Sequence, residues 1–425
     1  ENQRIFDTSA SSSLVSFSNV GVYYPPWWGG DATSVTNSTA AAKACITAAA
    51  ATGGNCNFNG LFKIHNLTYT VALTDKSFSI TGCGQGCGFT DTTQDGVDSL
   101  TIDYTNAARP RISITDLHYT GPDATHAGAG SGHGIVINSS NDSQAPWVYI
   151  RGLYGIHYYG AGKSPFKCRI CEDSQFDWSE FSDSDMGFYG DVSFNGNVLN
   201  NIRSHTTYTE GLYCPSCQSN TFNSLLSEST VGRGIYISGA ANTLNSPHAE
   251  ANNTGATGGL CTVEFHASIS SGSAGATVGN TINAPIFQGT NEKLCFTNDG
   301  TSVSVANVVV GGVSSGLVGG IYLDAYSGAQ TFIQYTTRAQ VTGVTAATRF
   351  VSVQSTGIDY VASGSVATPG IAFSEAPTSG ITYVSGGIGF PVSGLSNLGA
   401  TQYTALATAV RFFRPDTGGV PTYAT

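Results

Sequence analysis

Apolar and polar residues alternate in short runs along most of the chain. N-C-N-F-N-G-L-F-K-I and L-T-Y-T-V show this alternation, and up to about residue 345 similar runs are separated by Gly, Asn and Ser. A period of two with frequent turn residues predicts short strands. Residues 39–51 differ because Ala dominates them, with Asn37 or Ser38 as a cap and Gly53 after them. This stretch predicts a single helix.

The predicted strands repeat with a regular period. M-G-F-Y, E-G-L-Y and R-G-I-Y place Gly187, Gly211 and Gly234 at intervals of 24 and 23 residues. The chain also contains four asparagine motifs: N-V-L-N-N-I from Asn197, N-T-F-N-S-L from Asn220, N-T-L-N-S-P from Asn242 and N-T-I-N-A-P from Asn280. These motifs start 23, 22 and 38 residues apart, and a Gly-, Ser- and Ala-rich insertion lengthens the last interval.

This repeat predicts an all-β fold, a right-handed parallel β-helix. In such a solenoid each turn stacks on the previous one, equivalent apolar positions face one another, and asparagine amides form ladders along the axis. A leucine-rich repeat has a similar period, but its Leu-x-x-Leu-x-Leu pattern is absent. The helix predicted at 39–51 would cap the open end of the stack, where strand edges and core are otherwise exposed.

The charge balance limits the classes of partner. The sequence has 17 Lys and Arg against 28 Asp and Glu, a formal net charge of −11, and only 11% of its residues are charged. A broad basic surface for nucleic acid is therefore not expected. The nearest approach to a run of about 20 apolar residues, Val308 to Leu323, is interrupted by serines and glycines. We expect no membrane span.

The ten cysteines fall into pairs. Four pairs are close in sequence and two cysteines remain: Cys45 and Cys56, Cys83 and Cys87, Cys168 and Cys171, Cys214 and Cys217, then Cys261 and Cys295. An even number favours disulfides and an extracytoplasmic location. A zinc site from C-R-I-C and C-P-S-C is the alternative, but the two pairs lie 43 positions apart, well beyond the spacer of roughly 15 to 20 residues in zinc sites. Free buried thiols are a third interpretation. We expect no metal or other cofactor.

Two segments resemble a known family. G-D-A-T-S-V-T-N-S-T-A-A-A-K-A-C-I-T-A-A-A-A-T-G-G-N-C-N-F-N-G-L-F-K-I resembles the first segment of pectin-lyase-like β-helix proteins, especially phage tailspikes and polysaccharide depolymerases. In that family an Asp/Thr-rich turn, an Ala-rich helix and Gly-Gly precede a strand leading to G-x-Y-x-I. Here Phe62 stands where Tyr is common, and the usual Pro before the glycine is missing. A-T-P-G-I-A-F-S-E-A-P-T-S-G-I-T-Y-V-S-G-G-I-G-F, from Ala367, is similar to a recurrent tail-fibre element.

The resemblance covers roughly residues 25–90 and 365–392 and implies a fold and a setting, but no catalytic positions. It implies an N-terminal arm over residues 1–30, a parallel β-helix over 31–345 and a C-terminal β-rich region over 346–425 that associates chains. Tailspikes of this kind are typically trimers, so we expect a homotrimer. We expect it in a virion tail with other tail proteins, or secreted outside the cell, with a bacterial surface polysaccharide as receptor or substrate.

One column of the repeat brings carboxylates together. Five residues after the second Asn of each motif, the sequence reads His205, Glu228, Glu250 and Gln288. Equivalent positions of adjacent turns lie about 4.8 Å apart, near the roughly 5 to 5.5 Å between the carboxyl groups of retaining glycosidases. Two like charges at that distance cannot both ionise without a cost, so one of the pair could act as a general acid. Alternatively, the glutamates splay into solvent or discourage edge pairing.

An acidic stretch offers a second candidate site. C-E-D-S-Q-F-D-W-S-E-F-S-D-S-D, from Cys171, carries Asp177, Trp178 and Glu180 within one turn of the predicted solenoid. A carboxyl group can deliver a proton, and an aromatic face matches the C–H face of a pyranose ring. The alternatives are a solvated turn or a Ca²⁺ site, although the D-x-D-x-D-G loop with its terminal Glu is absent.

Two arginines bear on the choice between hydrolysis and elimination. A lyase needs a base beside a group that neutralises a uronate carboxylate. Arg203 lies next to the His205 position and Arg233 begins R-G-I-Y, so both are candidate substrate-binding residues. A solubilising role, or a pair with a neighbouring acid, is the alternative for each.

Together these features predict that the protein binds a bacterial surface polysaccharide and cleaves it as a glycoside hydrolase. Glu228 and Glu250 are the predicted acid and base with His205 beside them, and Asp177 and Glu180 are the reserve pair. The first alternative is a non-catalytic receptor-binding or structural tail protein with the same fold. A secreted polysaccharide lyase is the second alternative.

Overall fold

The computed structural model of the chain describes residues 21–104, 110–122, 130–139, 147–255, 260–267, 276–289, 292–298 and 307–311, together with strands at 303–305 and beyond residue 312. The chain separates into two units, Glu1–Ile358 and Asp359–Thr425. Most of the predicted arm at 1–30 and most of the predicted C-terminal region at 346–425 lie outside the described residues.

The first unit contains a 3₁₀ helix, Pro25–Trp28, an α-helix, Thr39–Thr52 (α1), and a long series of strands. In chain order these are Val22–Tyr23 (β1), Thr33–Asn37 (β2), Asn55–Asn57 (β3), Leu61–Lys63 (β4), Leu67–Thr70 (β5), Phe78–Thr90 (β6), Leu100–Tyr104 (β7), Ile112–Thr120 (β8), Ile135–Ser139 (β9), Val148–Arg151 (β10), Tyr154–Ile156 (β11), Phe166–Arg169 (β12), Gln175–Asp177 (β13), Glu180–Gly190 (β14), Phe194–Asn195 (β15), Val198–Asn200 (β16) and Arg203–Gln218 (β17). They continue with Thr221–Asn223 (β18), Leu226–Glu228 (β19), Arg233–Ala240 (β20), Thr243–Asn245 (β21), His248–Glu250 (β22), Val263–Ala267 (β23), Ala276–Val278 (β24), Thr281–Asn283 (β25), Ile286–Gln288 (β26), Leu294–Asn298 (β27), Val303–Val305 (β28), Val308–Val310 (β29), Val313–Ser314 (β30), Ile321–Leu323 (β31), Phe332–Gln334 (β32), Val341–Thr342 (β33) and Arg349–Phe350 (β34). The second unit contains Ile371–Phe373 (β35), Ala376–Val384 (β36), Gly387–Gly389 (β37), Phe413–Arg414 (β38) and Thr422–Tyr423 (β39).

Successive turns of the first unit contribute to three parallel sheets. The first sheet runs through β1, β3, β6, β8, β10, β13, β16, β18, β21, β25, β29, β32 and β34. The second runs through β2, β4, β6, β8, β11, β14, β17, β19, β22, β26 and β30. The third runs through β5, β7, β9, β12, β14, β17, β20, β23, β27, β31 and β33. The predicted parallel β-helix is confirmed.

The predicted helix forms as α1 and contacts β1, β3, β5 and β6 of the first turns. Its N-cap residue Ser38 makes no side-chain capping bond, and instead Asn37 Oδ1 accepts the Thr39 N–H at 2.9 Å. Gly53 ends the helix in the left-handed region (φ 79°), where its N–H donates to Ala49 O. Because α1 buries its side chains against the first turns, it covers this end of the solenoid as predicted.

Buried asparagines form a ladder along the axis, which we call the inner ladder: Asn197, Asn220, Asn242, Asn280 and Asn307. The Nδ2 group of each of the first four donates to Oδ1 of the next asparagine at 3.0–3.1 Å. Each of the first four also donates to a backbone carbonyl of the preceding turn. The buried amides are therefore hydrogen-bonded in a direction that fixes the register between turns. The ladder predicted from the asparagine motifs is confirmed.

The cysteines form five disulfides. Four of them join the pairs that are close in sequence, and the fifth joins the two cysteines that remain, Cys261 and Cys295. C-R-I-C and C-P-S-C each close on themselves, so the zinc interpretation of these motifs is wrong. In the described ranges no group of three or more His, Cys, Asp or Glu side chains is arranged to hold a metal ion. The same ranges contain no helix that is long and apolar enough to cross a membrane.

Candidate functional site

The outward face of the second sheet carries a row of charged side chains, which we call the charged strip: Glu180, Arg203, His205, Glu228, His248 and Glu250. The register pairs His205 with Glu228, Glu228 with Glu250 and Glu250 with Gln288. The residues between them along each strand point inward and are buried. The predicted column therefore exists on the surface, because alternate residues of a strand share one face.

Arg203 lies between two carboxylates of the charged strip. Its NH2 group donates to Glu228 Oε2 at 3.2 Å, and its NH1 group lies 4.0 Å from Glu180 Oε2. The His205 Nε2 atom lies 2.8 Å from Glu180 Oε1. The Arg203 side chain is 46% exposed and the two glutamates are 31% and 34% exposed, so solvent or a ligand reaches all three.

Glu250 continues the row one turn further along. Its Oε2 atom lies 3.5 Å from His248 Nε2, and that nitrogen also lies 3.3 Å from Gln288 Oε1. The nearest basic side chain to Glu250 is therefore a histidine, whereas the nearest one to Glu228 is an arginine. The two predicted catalytic glutamates are adjacent in register but have different electrostatic surroundings.

Trp178 lies beside the charged strip, at the bend between the first and second sheets. Its backbone is in the left-handed region (φ 46°), and its N–H donates to Asn200 O at 2.9 Å. The side chain is 67% exposed. An aromatic face is therefore accessible immediately before Glu180, as the predicted sugar platform requires.

The reserve pair is divided between two sheets. Asp177 is 7% exposed and accepts hydrogen bonds from Gln175 Nε2 and Asn200 Nδ2, each at 2.7 Å. It ends a second row of amides on the outward face of the first sheet, the outer ladder: Asn200, Asn223, Asn245 and Asn283. Glu180 alone joins the charged strip, because the bend at Trp178 separates the two acidic side chains.

Arg233 belongs to a different group on the third sheet side, the buried glutamate cluster of Glu210, Arg233 and Glu264. Its NH2 group donates to Glu210 at 3.1 Å and its NH1 group to Glu264 at 3.0 Å. The guanidinium also lies 4.5 Å over the Tyr236 ring. The structure thus brings Arg203 into the charged strip but not Arg233, whose charge is already engaged by two carboxylates.

The two glutamates of the buried cluster differ in acidity. Burial raises the pKa of Glu210, against the opposing charge of Arg233. Burial also opposes the ionisation of Glu264, but hydrogen bonds from His266 and Thr297 and the Arg233 charge outweigh it and lower its pKa to about 2. This separation arises from the surroundings, since both residues are glutamates.

Sequence reasoning missed two sets of residues. His248 lies two positions before Glu250 and shares its face, and the period of two within a strand was the signal for it. A tyrosine row, Tyr189, Tyr213 and Tyr236, follows the third sheet with ring centroids 5.2 Å apart. The tyrosine that ends each of M-G-F-Y, E-G-L-Y and R-G-I-Y was the sequence signal for this row, but these motifs indicated only the period of the repeat.

No family model matches the sequence, and a comparison with curated proteins finds no match. Among solved structures, the chain is similar to the enzymatically active domain of tailspike protein 2 of bacteriophage CBA120, with 12% identity and a TM-score of 0.48 over 88% of this chain and 58% of that one. It is similar to the A-module of the mannuronan C-5 epimerase AlgE6 of Azotobacter vinelandii, with 12% identity and a TM-score of 0.48 over 78% and 99%. It is also similar to the catalytic unit of a GH87 α-1,3-glucanase of Streptomyces thermodiastaticus, with 13% identity and a TM-score of 0.44 over 81% and 69%.

Similarities at this level carry no functional assignment. The fold class rests on the strand register of the chain itself, in which three parallel sheets repeat from turn to turn. The N-terminal segment supplies the sequence resemblance described above. On these grounds the chain folds as a parallel β-helix.

Proposed function

We propose that the protein binds a polysaccharide along the charged strip and cleaves it by glycoside hydrolysis. The observation that supports this most directly is the row of surface carboxylates, Glu180, Glu228 and Glu250, beside the exposed Trp178. A glycan lying along the axis would contact the tryptophan face and pass over these carboxylates in turn. Hydrolysis needs two carboxyl groups on opposite sides of one glycosidic bond.

The roles follow from the partners of each glutamate. We assign Glu228 as the nucleophile, since the Arg203 guanidinium at 3.2 Å holds its carboxyl group in place on the charged strip. We assign Glu250 as the acid that protonates the glycosidic oxygen while the bond to the anomeric carbon breaks. Water then attacks the glycosyl ester on Glu228, and Glu250 accepts the proton of that water.

Register also sets the stereochemical expectation. Glu228 and Glu250 occupy adjacent turns at a strand spacing of about 4.8 Å, near the separation of retaining glycosidases. Glu180 and Glu228 lie two turns apart and are offset by two residues along the strands, and both carboxylates contact the Arg203 guanidinium, a wider arrangement that suits inversion. Retention of the anomeric configuration would support the first pair and inversion the second.

Two observations weigh on the alternatives. The Arg203 guanidinium lies between two carboxylates, which leaves less positive charge for a uronate and disfavours the lyase. Five disulfides favour an extracytoplasmic setting, whether the protein is secreted or displayed on a virion. A homotrimer joined through residues 346–425, other tail proteins as partners and a virion location remain part of the proposal and rest on the resemblance.

The test is a panel of bacterial capsular and secreted polysaccharides, with new reducing ends and unsaturated products measured together. Glu228→Gln and Glu250→Gln should each lower the hydrolysis rate about 100-fold to 10,000-fold. Asp191→Asn is the matched control, since this carboxylate forms a 2.9 Å ion pair with Lys167 outside the charged strip. Its rate should equal that of the wild type.

Other outcomes would redirect or overturn the proposal. Unsaturated products would identify a lyase, and binding without cleavage would identify a non-catalytic receptor-binding or structural protein. Activity that survives Glu250→Gln but is lost in both Glu228→Gln and Glu180→Gln, with inversion by NMR, would move the catalytic pair to Glu180 and Glu228. Activity that survives all three substitutions would contradict a site on the charged strip.

A further inference from the structure

An open cleft of about 350 Å³ lies at the outer face of the first turns, away from the charged strip. Its walls include Gly54, Asn55, Ser79, Arg111, Ser113 and Trp147, and we call it the Arg111 cleft. Asn55, Ser79 and Ser113 occupy equivalent positions of three consecutive strands. Three polar side chains therefore follow one another at the strand spacing of about 4.8 Å.

Arg111 gives this cleft a positive charge. Its guanidinium lies 4.7 Å from the centroid of the Trp147 ring. Within the described part of the chain no carboxylate lies within ion-pair distance of Arg111, whereas Arg203 and Arg233 each lie between two glutamates. The protein has a net charge of −11, so an arginine in a cleft with no acidic partner among the described residues is a local exception to the overall charge.

The chemistry of the cleft fits one class of ligand. A guanidinium presents a planar fork of donors that matches a carboxylate with two parallel hydrogen bonds. Serine hydroxyls both donate and accept, so Ser79 and Ser113 can exchange bonds with the hydroxyls of a sugar. The volume lies at the lower end of the range of about 300 to 1,000 Å³ for small-molecule sites.

We propose that the Arg111 cleft binds a sugar unit that carries a carboxylate. Arg111 pairs with the carboxylate, the serine row contacts the hydroxyls, and Trp147 forms the wall beside the guanidinium. The site is separate from the charged strip, so binding here requires neither Glu228 nor Glu250. It would give the protein a second point of attachment to an acidic glycan, independent of cleavage.

Trp147 serves as a reporter of occupancy. The chain has four tryptophans, so the fluorescence change that disappears in Trp147→Phe belongs to the cleft. We expect a saturable change with sodium glucuronate and none with methyl glucoside, which lacks the carboxylate. Sodium acetate and sodium sulfate at equal ionic strength should give no saturable change, because they lack the hydroxyls.

Two arginine variants decide the assignment. Arg111→Gln should weaken glucuronate binding at least tenfold, with binding also followed by ligand-observed NMR so that the result does not depend on the tryptophan signal. Arg151→Gln is the matched control, because Arg151 lies on the same outward sheet without a carboxylate within ion-pair distance among the described residues and does not line the cleft. It should bind as the wild type does.

The proposal is overturned if Arg111→Gln binds glucuronate like the wild type, or if acetate or methyl glucoside gives the same saturable response. Thermal melting of Arg111→Gln should match the wild type within a few degrees, since the residue is exposed. Cleavage of a short neutral substrate by Arg111→Gln should equal that of the wild type. Failure of this site and failure of the proposed hydrolase activity are therefore distinguishable.

Discussion

Arg203 and Arg233 lie in adjacent turns and each contacts two glutamates, but their surroundings differ. In the charged strip the Arg203 side chain is 46% exposed and its glutamates are 31% and 34% exposed. In the buried glutamate cluster Arg233 is 27% exposed and its glutamates are 8% and 9% exposed. One arginine and two glutamates therefore form a solvated row on one sheet and a desolvated network beside another.

The difference in burial determines what each group can do. Exposed ion pairs contribute about 0 to 1 kcal/mol to stability, because water competes for both partners. Removing one partner of a buried pair costs about 3 to 5 kcal/mol, since the other charge stays buried without compensation. We infer that the buried glutamate cluster stabilises the fold, whereas the charged strip can exchange its internal contacts for contacts with a ligand.

The largest expected effect is on Arg233. Arg233→Met leaves Glu210 and Glu264 without their shared cation, so the free energy of unfolding should fall by about 3 to 5 kcal/mol in chemical denaturation. Arg203→Met is the matched control and should cost less than about 1 kcal/mol. Equal losses in the two variants would contradict the distinction between the groups.

Acid should act on the buried glutamate cluster next. The pKa of Glu264 is about 2 in the folded protein and 4.5 when unperturbed, so its contribution is fully present above about pH 4.5 and is lost as the pH falls toward 2. The loss should be on the order of 3 kcal/mol. The free energy of unfolding, measured from pH 5 to 2, should depend less steeply on pH in Glu264→Gln than in the wild type, and an unchanged slope would contradict this assignment.

The two asparagine ladders offer a smaller contrast of the same kind. Asn242→Ala breaks bonds to Asn220, Asn280 and a backbone carbonyl inside the solenoid, and it should cost about 1 to 3 kcal/mol. Asn245→Ala, in the half-exposed outer ladder, should cost less than half as much, because water can replace the lost amide. Equal costs would mean that burial does not set the value of these bonds.

The smallest expected effect is on the charged strip itself. Glu228→Gln should change the free energy of unfolding by less than about 0.5 kcal/mol, because its ion pair is exposed. The same variant is expected to lose cleavage, so stability and activity should separate at this residue. A large loss of stability in Glu228→Gln would mean that the glutamate is structural.

Much of the fold was readable from the sequence because the solenoid is nearly one-dimensional. Lateral neighbours in a parallel β-helix are equivalent positions of consecutive turns, so the asparagine motifs gave both the inner ladder and the column His205, Glu228, Glu250. The helix at 39–51 and four of the disulfides were readable for a similar reason, because each depends on residues that are close in sequence. The fifth disulfide joins the two cysteines that were left over.

The candidate site was readable only in part. Asp177 and Glu180 are three positions apart, yet the left-handed bend at Trp178 sends one to the outer ladder and the other to the charged strip. Nothing in the one-dimensional pattern indicates whether a turn bends at that residue. The reserve pair therefore could not be divided correctly from the sequence.

The sequence by itself determined the period, the register and the column of carboxylates, because stacking turns converts sequence spacing directly into neighbours. Tertiary structure alone decided burial, and with it which cation each acid contacts. Arg233 reaches Glu264 across 31 positions and Arg111 reaches Trp147 across 36, in turns whose lengths differ. The strength of an interaction between two charges depends on the exclusion of water, and water is excluded only once the turns have packed.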